Sequence, residues 1–155
     1  MTGDGSGDGR RDVTPALVMF PLSVVVCMAL ALECFRVDLP DIAIGVSGLR
    51  GAPPLWITVV SAAIVAVLTL RIVLRGRRGH DVAAWELWVV AGLAVLGLTV
   101  TLTAIAGWST DHVVARDVAN APVVALSPGR LLYLAAGAMS AIAAGALGWL
   151  RQITA

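Results

Sequence analysis

Four long apolar runs alternate along the chain with segments that are richer in polar residues, glycine and proline. Each run is apolar on all sides, and each can cross the hydrocarbon core of a bilayer, which takes about 20 residues. A backbone in lipid has to satisfy its own hydrogen bonds, so each run is predicted to be a helix. The four predicted spans are Pro15–Phe35, Pro54–Leu74, Ala83–Trp108 and Pro128–Leu150.

Composition agrees with this pattern. The 155 residues are 59% hydrophobic and only 14% charged, whereas a soluble domain is about half apolar and about a quarter charged. The predicted fold class is therefore an all-α integral membrane protein, a four-transmembrane-helix bundle formed by residues 13–155. Residues 1–12 are rich in glycine and aspartate and are predicted to be a disordered cytoplasmic tail.

The segment between the second and third spans, RIVLRGRRGHD, is strongly basic. If the N-terminus is cytoplasmic, seven arginines lie inside and four outside, which satisfies the positive-inside rule and puts both termini in the cytoplasm. We expect this segment to set the topology in the plasma membrane and to contact anionic lipid headgroups. A net charge of +1 and the lack of interleaved aromatic residues argue against nucleic-acid binding. The four arginines concerned are Arg71, Arg75, Arg77 and Arg78.

Aromatic residues fall at or near the ends of the predicted spans, as an interfacial belt requires. One group lies at the inner ends and the other at the outer ends. The inner group is Phe20, Trp85, Trp88 and Trp149, and the outer group is Phe35, Trp56, Trp108 and Tyr133.

The two outer segments are predicted to pack together as a small extracytoplasmic cap. Apolar residues alternate at Ile42, Ile44 and Val46, which predicts a short strand. A short helix is expected between residues 109 and 120, residues 122–126 are compatible with extended structure, and Ser127 is expected to cap the fourth span with Pro128 in its first turn. The alternative is that these segments only shield the end of the bundle.

Small residues recur along the fourth span in two adjacent rows, which gives a flat face where another helix backbone can approach closely. Either this face packs against the third span near Gly92, Gly97 and Thr101, or it docks a partner protein. The residues of the predicted helix-packing face are Gly137, Ser140, Ala141, Ala144, Gly145 and Gly148.

Few ionisable residues lie near the spans. Glu33 is expected about one turn inside the outer end of the first span, where it can pair with Arg36 at the interface; the alternative is a proton-coupling carboxylate. Glu86 is expected at the inner interface near the arginines. Cys27 and Cys34 are seven residues apart on a predicted helix, too far for a disulfide, so both are expected to be free.

Sequence motifs for catalysis or cofactor binding are missing. The chain has no P-loop, no dinucleotide fingerprint, and neither a GxSxG nor an HExxH motif. His80 and His112 are expected on opposite sides of the membrane, so they cannot share a metal or a haem. We therefore expect no enzymatic activity, no metal and no cofactor.

The sequence VSG at Val46–Gly48, followed by prolines before the second span, together with the span arrangement, resembles small four-span actinobacterial membrane proteins of unknown function, including the tryptophan-operon-associated group. This resemblance implies an arrangement of spans and loops, and it does not point to any particular activity. The helix count is similar to that of the small multidrug resistance family, but that family has a glutamate in the middle of its first span. Glu33 lies only at the end of the matching span, so that function is not carried over.

The sequence favours a non-catalytic accessory or structural subunit of a larger plasma-membrane complex, with lipids and other integral membrane subunits as partners. The alternative is a small transporter or channel subunit that works as a homo-oligomer. That alternative requires a polar stripe inside the bundle, for which the candidates are Ser61, Thr69, Thr99, Thr103 and Ser140. Thr99 and Thr103 are four residues apart on the third span and are expected instead to bond back to carbonyls of their own helix.

Overall fold

The computed structural model describes residues 13–38, 43–106 and 126–155. Each predicted span contains one long helix, and all four helices are long and apolar enough to cross a membrane. The chain is therefore a mostly helical, multi-pass membrane protein. The helices are α1 (Thr14–Ala31), α3 (Leu55–Arg77), α4 (Ala84–Ile105) and α5 (Arg130–Thr154), and a four-residue helix, α2 (Gly48–Gly51), precedes α3.

The four long helices pack in a ring. Helix α1 contacts α3 and α5, and α4 contacts the same two helices from the other side. The buried core consists of leucine, valine, isoleucine, methionine and alanine side chains from all four helices. This arrangement is compatible with the predicted four-helix bundle.

A small three-stranded antiparallel sheet lies beside the point where α1 ends. Strand β1 (Glu33–Asp38) is central, between β2 (Ala43–Ser47) and β3 (Leu126–Pro128). Its register pairs Phe35 with both Val46 and Pro128. The sheet joins the chain after α1 to the chain before α5, so the all-α prediction omits a real β element. We call this end of the helices the sheet end.

Two predicted boundaries are wrong, and both are wrong for the same reason. The first span was expected to reach Phe35, but α1 ends at Ala31 and Phe35 lies in β1. Ser127 and Pro128 were expected to begin the fourth span, but both lie in β3, and Gly129 is the N-cap of α5. Apolar residues such as Phe35 and Pro128 are buried equally well by a packed strand, so hydrophobicity alone does not mark the end of a helix.

The predicted strand at residues 42–47 is confirmed over Ala43–Ser47. The helix predicted between residues 109 and 120, the extended stretch before Leu126 and the N-terminal tail of residues 1–12 lie outside the described residues.

The aromatic belt is only partly as predicted. Trp56, Trp85, Trp88 and Tyr133 are exposed on the helix surface near the helix ends. Phe35 and Trp149, by contrast, are buried in the core. Phe20 is half-buried, and Trp108 lies outside the described residues. An aromatic side chain near a helix end therefore faces either the interface or the core, and packing decides which.

Candidate functional site

The arginine segment forms the last turns of α3 and the turn after it. The helix ends at Arg77, and the amide of His80 donates a hydrogen bond to the carbonyl of Arg75 over 3.2 Å. Gly79 has a positive φ of 76°, which glycine adopts without a steric penalty and which reverses the chain toward α4. We call this end of the helices the arginine end.

Glu86, in the first turn of α4, lies beneath two of these arginines. Its Oε1 is 3.3 Å from Nη1 of Arg75 and 3.7 Å from Nε of Arg71. The glutamate side chain is 1% exposed, whereas those of Arg71 and Arg75 are 48% and 44% exposed. One buried carboxylate therefore contacts two guanidinium groups whose side chains remain nearly half exposed.

A groove of about 390 Å³ runs along the outer surface of α3 beside this cluster. Its lining residues form two adjacent rows, and within each row the residues are three or four apart, so together they occupy one face of the helix. The part of the groove farther from the arginine end is apolar, and the part nearer to the arginine end is basic. The lining consists of Val67, Leu70, Arg71, Leu74, Arg75 and Arg78. Arg77, in the same segment, does not line the groove.

The predicted packing face on the fourth span lies mainly on the outside of the molecule. Gly145 alone among its six residues is half-buried, with the methyl of Met19 on α1 at 3.1 Å from the position of an added Cβ. The other five are exposed, and we call them the small-residue face: Gly137, Ser140, Ala141, Ala144 and Gly148. The reading that this face packs against the third span is therefore wrong.

The contact between α4 and α5 uses other residues. A Cβ at Gly97 would collide with the terminal methyl of Met139 on α5 and would lie 3.4 Å from Cγ2 of Thr58 on α3. Gly97 therefore allows the close helix approach that was expected near it. Its neighbour on α5, however, is Met139 and not the small-residue face. Gly92, the other expected glycine, has open space around it.

A cluster of hydroxyl groups joins α3 to α4 at Gly97. Thr58 and Thr101 both donate hydrogen bonds to the Gly97 carbonyl, over 3.1 Å and 2.8 Å, and their hydroxyls are 3.3 Å apart. Both threonines are buried. Thr58 was not among the predicted polar residues, because no spacing rule links a residue on one helix to a carbonyl on another.

Of the five interior polar candidates, only Ser61 and Thr69 are buried, whereas Thr99, Thr103 and Ser140 are exposed. Thr99 and Thr103 bond to carbonyls of their own helix, Val95 and Val100, as the sequence predicted. The buried hydroxyl residues are therefore not the set that was expected to form a polar stripe inside the bundle. Ser23, Thr58 and Thr101 supply the other buried hydroxyls among the described residues.

Glu33 lies outside the first helix. It is the first residue of β1, and its side chain is exposed and extends over Gly45 of β2. The expected position, one turn inside the span, is wrong because α1 ends at Ala31. A proton-coupling carboxylate has to lie within a membrane span, and Glu33 does not.

Both cysteines are free, as predicted. Cys34 is fully buried in β1, where its thiol donates a hydrogen bond to the Ala29 carbonyl over 2.9 Å. Burial raises the pKa of the Cys34 thiol.

Within residues 13–38, 43–106 and 126–155, no three His, Cys, Asp or Glu side chains are grouped as a metal site requires. His80 is exposed, and His112 lies outside these ranges.

Comparison of the chain with protein-family models, curated proteins and solved structures gave no match. Among the described residues, the arginine end and the small-residue face are therefore the two candidate functional regions.

Proposed function

We propose that the protein is a non-catalytic accessory subunit of a larger plasma-membrane complex and that it docks through the small-residue face of α5. One observation carries the proposal. Between Leu134 and Leu147, every fully exposed residue of α5 is glycine, alanine or serine. The large apolar residues of the same stretch, Met139 and Ile142, point into the core.

The other three long helices show the opposite pattern. Their outer surfaces carry large apolar side chains along the whole span, for example Val18 and Met28 on α1, Val60 and Val67 on α3, and Leu96 on α4. Such side chains suit contact with lipid. Among the described helices, an uninterrupted run of exposed small residues occurs only on α5, between Leu134 and Leu147.

A flat surface of small residues has a physical use in a membrane. Lipid tails are as apolar as leucine, so helix association in a bilayer depends on close van der Waals packing rather than on the hydrophobic effect. A partner helix can approach the α5 backbone between Gly137 and Gly148, and Ser140 offers a hydroxyl for a hydrogen bond across that interface. We therefore infer a transmembrane helix of another subunit as the partner.

The orientation is part of the proposal. The positive-inside rule favours a cytoplasmic arginine end, which makes the sheet end an extracytoplasmic cap. The proposal assigns the buried polar groups structural roles, since Thr58 and Thr101 bond a helix carbonyl and Glu86 pairs with arginines.

The proposal is tested by gentle extraction of the tagged protein from its own host membrane, followed by native mass spectrometry. The test variant is Gly137→Leu with Ala141→Leu. The matched control is Gly92→Leu with Ala63→Leu, which makes the same two exchanges at exposed positions of α4 and α3. We expect a membrane subunit to co-purify in a fixed ratio with the native protein and with the control. The test variant should retain on the order of tenfold less partner.

Two results would contradict the proposal. One is equal recovery of the partner with both variants, which would place the interface elsewhere. The other is a homo-oligomer with no partner, which would support the small transporter or channel subunit instead. Thermal unfolding in detergent checks that both variants are folded, since an unfolded test variant would lose its partner trivially.

A further inference from the structure

We propose that the groove on α3 is a binding site for an anionic phospholipid that carries two negative charges. The site is independent of the small-residue face, which lies on another helix. It combines three features, namely an apolar strip, a cluster of arginines and a buried carboxylate that holds two of those arginines in place.

The apolar strip consists of Val67, Leu70 and Leu74. At 1.5 Å of rise per residue, Val67 to Leu74 covers about 10 Å of the helix axis. The three side chains are exposed or half-exposed, and they follow one another directly toward the arginine end. An acyl chain that lies along this strip directs its headgroup at the arginines.

The basic part consists of Arg71, Arg75 and Arg78, which lie on the same face and extend it by about 6 Å beyond Leu74. Oε1 of Glu86 accepts a hydrogen bond from Arg75 and forms an ion pair with Arg71 at 3.7 Å. Each guanidinium has five N–H donors in a planar fork that matches phosphate oxygens. The donors that Glu86 leaves free are therefore available to a phosphate on the exposed side.

Charge indicates the class of lipid. Three guanidinium groups and one carboxylate leave two positive charges at the groove. A headgroup with two negative charges, as in cardiolipin, balances them, whereas phosphatidylglycerol brings one charge and phosphatidylcholine brings none. Glu86 acts here as a positioning residue, since burial separates it from the lipid.

Arg77 and Arg78 provide a matched pair for the test. They are adjacent, both are exposed, and neither forms an ion pair with Glu86. Only Arg78 lines the groove. Arg78→Gln and Arg77→Gln each remove one positive charge from the same segment, so any general attraction to an anionic membrane changes equally in both.

The experiment measures binding of cardiolipin, phosphatidylglycerol and phosphatidylcholine to the purified full chain in detergent by native mass spectrometry. We expect cardiolipin to bind more tightly than the other two lipids. We expect Arg78→Gln to weaken cardiolipin binding about fivefold, the contribution of one arginine near a phosphate, and Arg77→Gln to leave it unchanged. Inorganic pyrophosphate, added as a free competitor with two phosphate groups, should not displace the lipid, because it lacks the chain that contacts Val67 and Leu70.

The proposal is wrong if the two variants weaken cardiolipin binding equally, since the attraction is then a diffuse property of the segment. It is equally wrong if phosphatidylglycerol binds as tightly as cardiolipin. Displacement by pyrophosphate would assign the arginines to a soluble phosphate ligand and would overturn the lipid assignment. Unfolding temperatures of both variants, expected to match that of the native protein, confirm that the comparison is between folded proteins.

Discussion

The amide of Gly129 donates a hydrogen bond of 2.6 Å to the carbonyl of Cys34. This bond ties the start of α5 to strand β1, although the two residues are far apart in the sequence. A Cβ on Gly129 would lie 2.7 Å from the same carbonyl oxygen, which belongs to the backbone and cannot rotate away. Cys34 also contacts Gly48 of α2, so three elements meet at this point.

Gly129→Ala is therefore expected to destabilise the protein, by about 1–3 kcal/mol, since the backbone of β1 or α5 has to shift. The matched control is Gly148→Ala, because a Cβ at Gly148 meets no atom within 4 Å. Thermal unfolding in detergent measures both. A Gly129→Ala protein that melts at the same temperature as the Gly148→Ala protein would show that this junction does not stabilise the fold.

Cys34 is expected to resist alkylation in the folded protein. Its thiol is buried, burial raises its pKa above the ordinary value of 9.0, and only the thiolate reacts. In a Cys27→Ala background, where Cys34 is the single thiol of the chain, the rate of maleimide labelling should be low at pH 7 and should rise on unfolding. Labelling of the folded protein at the rate of the unfolded chain would contradict the burial of this thiol.

The raised pKa of the Cys34 thiol also affects how the stability of the protein depends on pH. The folded state binds the thiol proton more tightly than the unfolded state, so this contribution is complete below pH 9 and is lost as the pH rises through the higher folded pKa. The alkaline loss of stability should therefore be smaller in Cys34→Ala than in the native protein, as measured by unfolding between pH 8 and pH 10. An unchanged alkaline loss would mean that Cys34 does not contribute to it.

Gly97→Leu is expected to disrupt the packing of the long helices, because the new side chain would enter the space of Met139 and Thr58. We expect a loss of about 1–3 kcal/mol or more from overpacking. Gly92→Leu places the same side chain on the same helix in open space and should change the unfolding temperature little. Equal unfolding temperatures for these two variants would refute the close packing at Gly97.

Glu86→Gln is expected to lower the stability by about 1–3 kcal/mol, because the charged hydrogen bond from Arg75 and the ion pair with Arg71 are replaced by weaker interactions with an amide. The control is Glu33→Gln, which makes the same exchange at an exposed position in β1 and should have no effect. An unfolding temperature equal to that of Glu33→Gln would show that the ion pairs of Glu86 with Arg71 and Arg75 do not stabilise the protein.

The sequence by itself determined the number and order of the membrane helices, the strand at Ala43–Ser47, the free cysteines and the hydrogen bonds of Thr99 and Thr103 to their own helix. These features are local. A run of about 20 apolar residues has to be helical in lipid, and a hydroxyl on a helix reaches a carbonyl three or four residues earlier.

Only the tertiary structure decided which side of each helix faces inward. In a soluble protein the polar side marks the surface, but between Leu134 and Leu147 the outer side of α5 has only one polar residue, Ser140. Gly137 and Met139 differ in size rather than in polarity, and the large side chain is the one that fills the space among the four helices. Alanines such as Ala135 and Ala146 are buried on the same side as Met139, so size alone does not decide which small residues are left outside. The end of α1 at Ala31 and the burial of Glu86 beneath Arg75 were decided in the same way, by contacts with elements distant in the sequence.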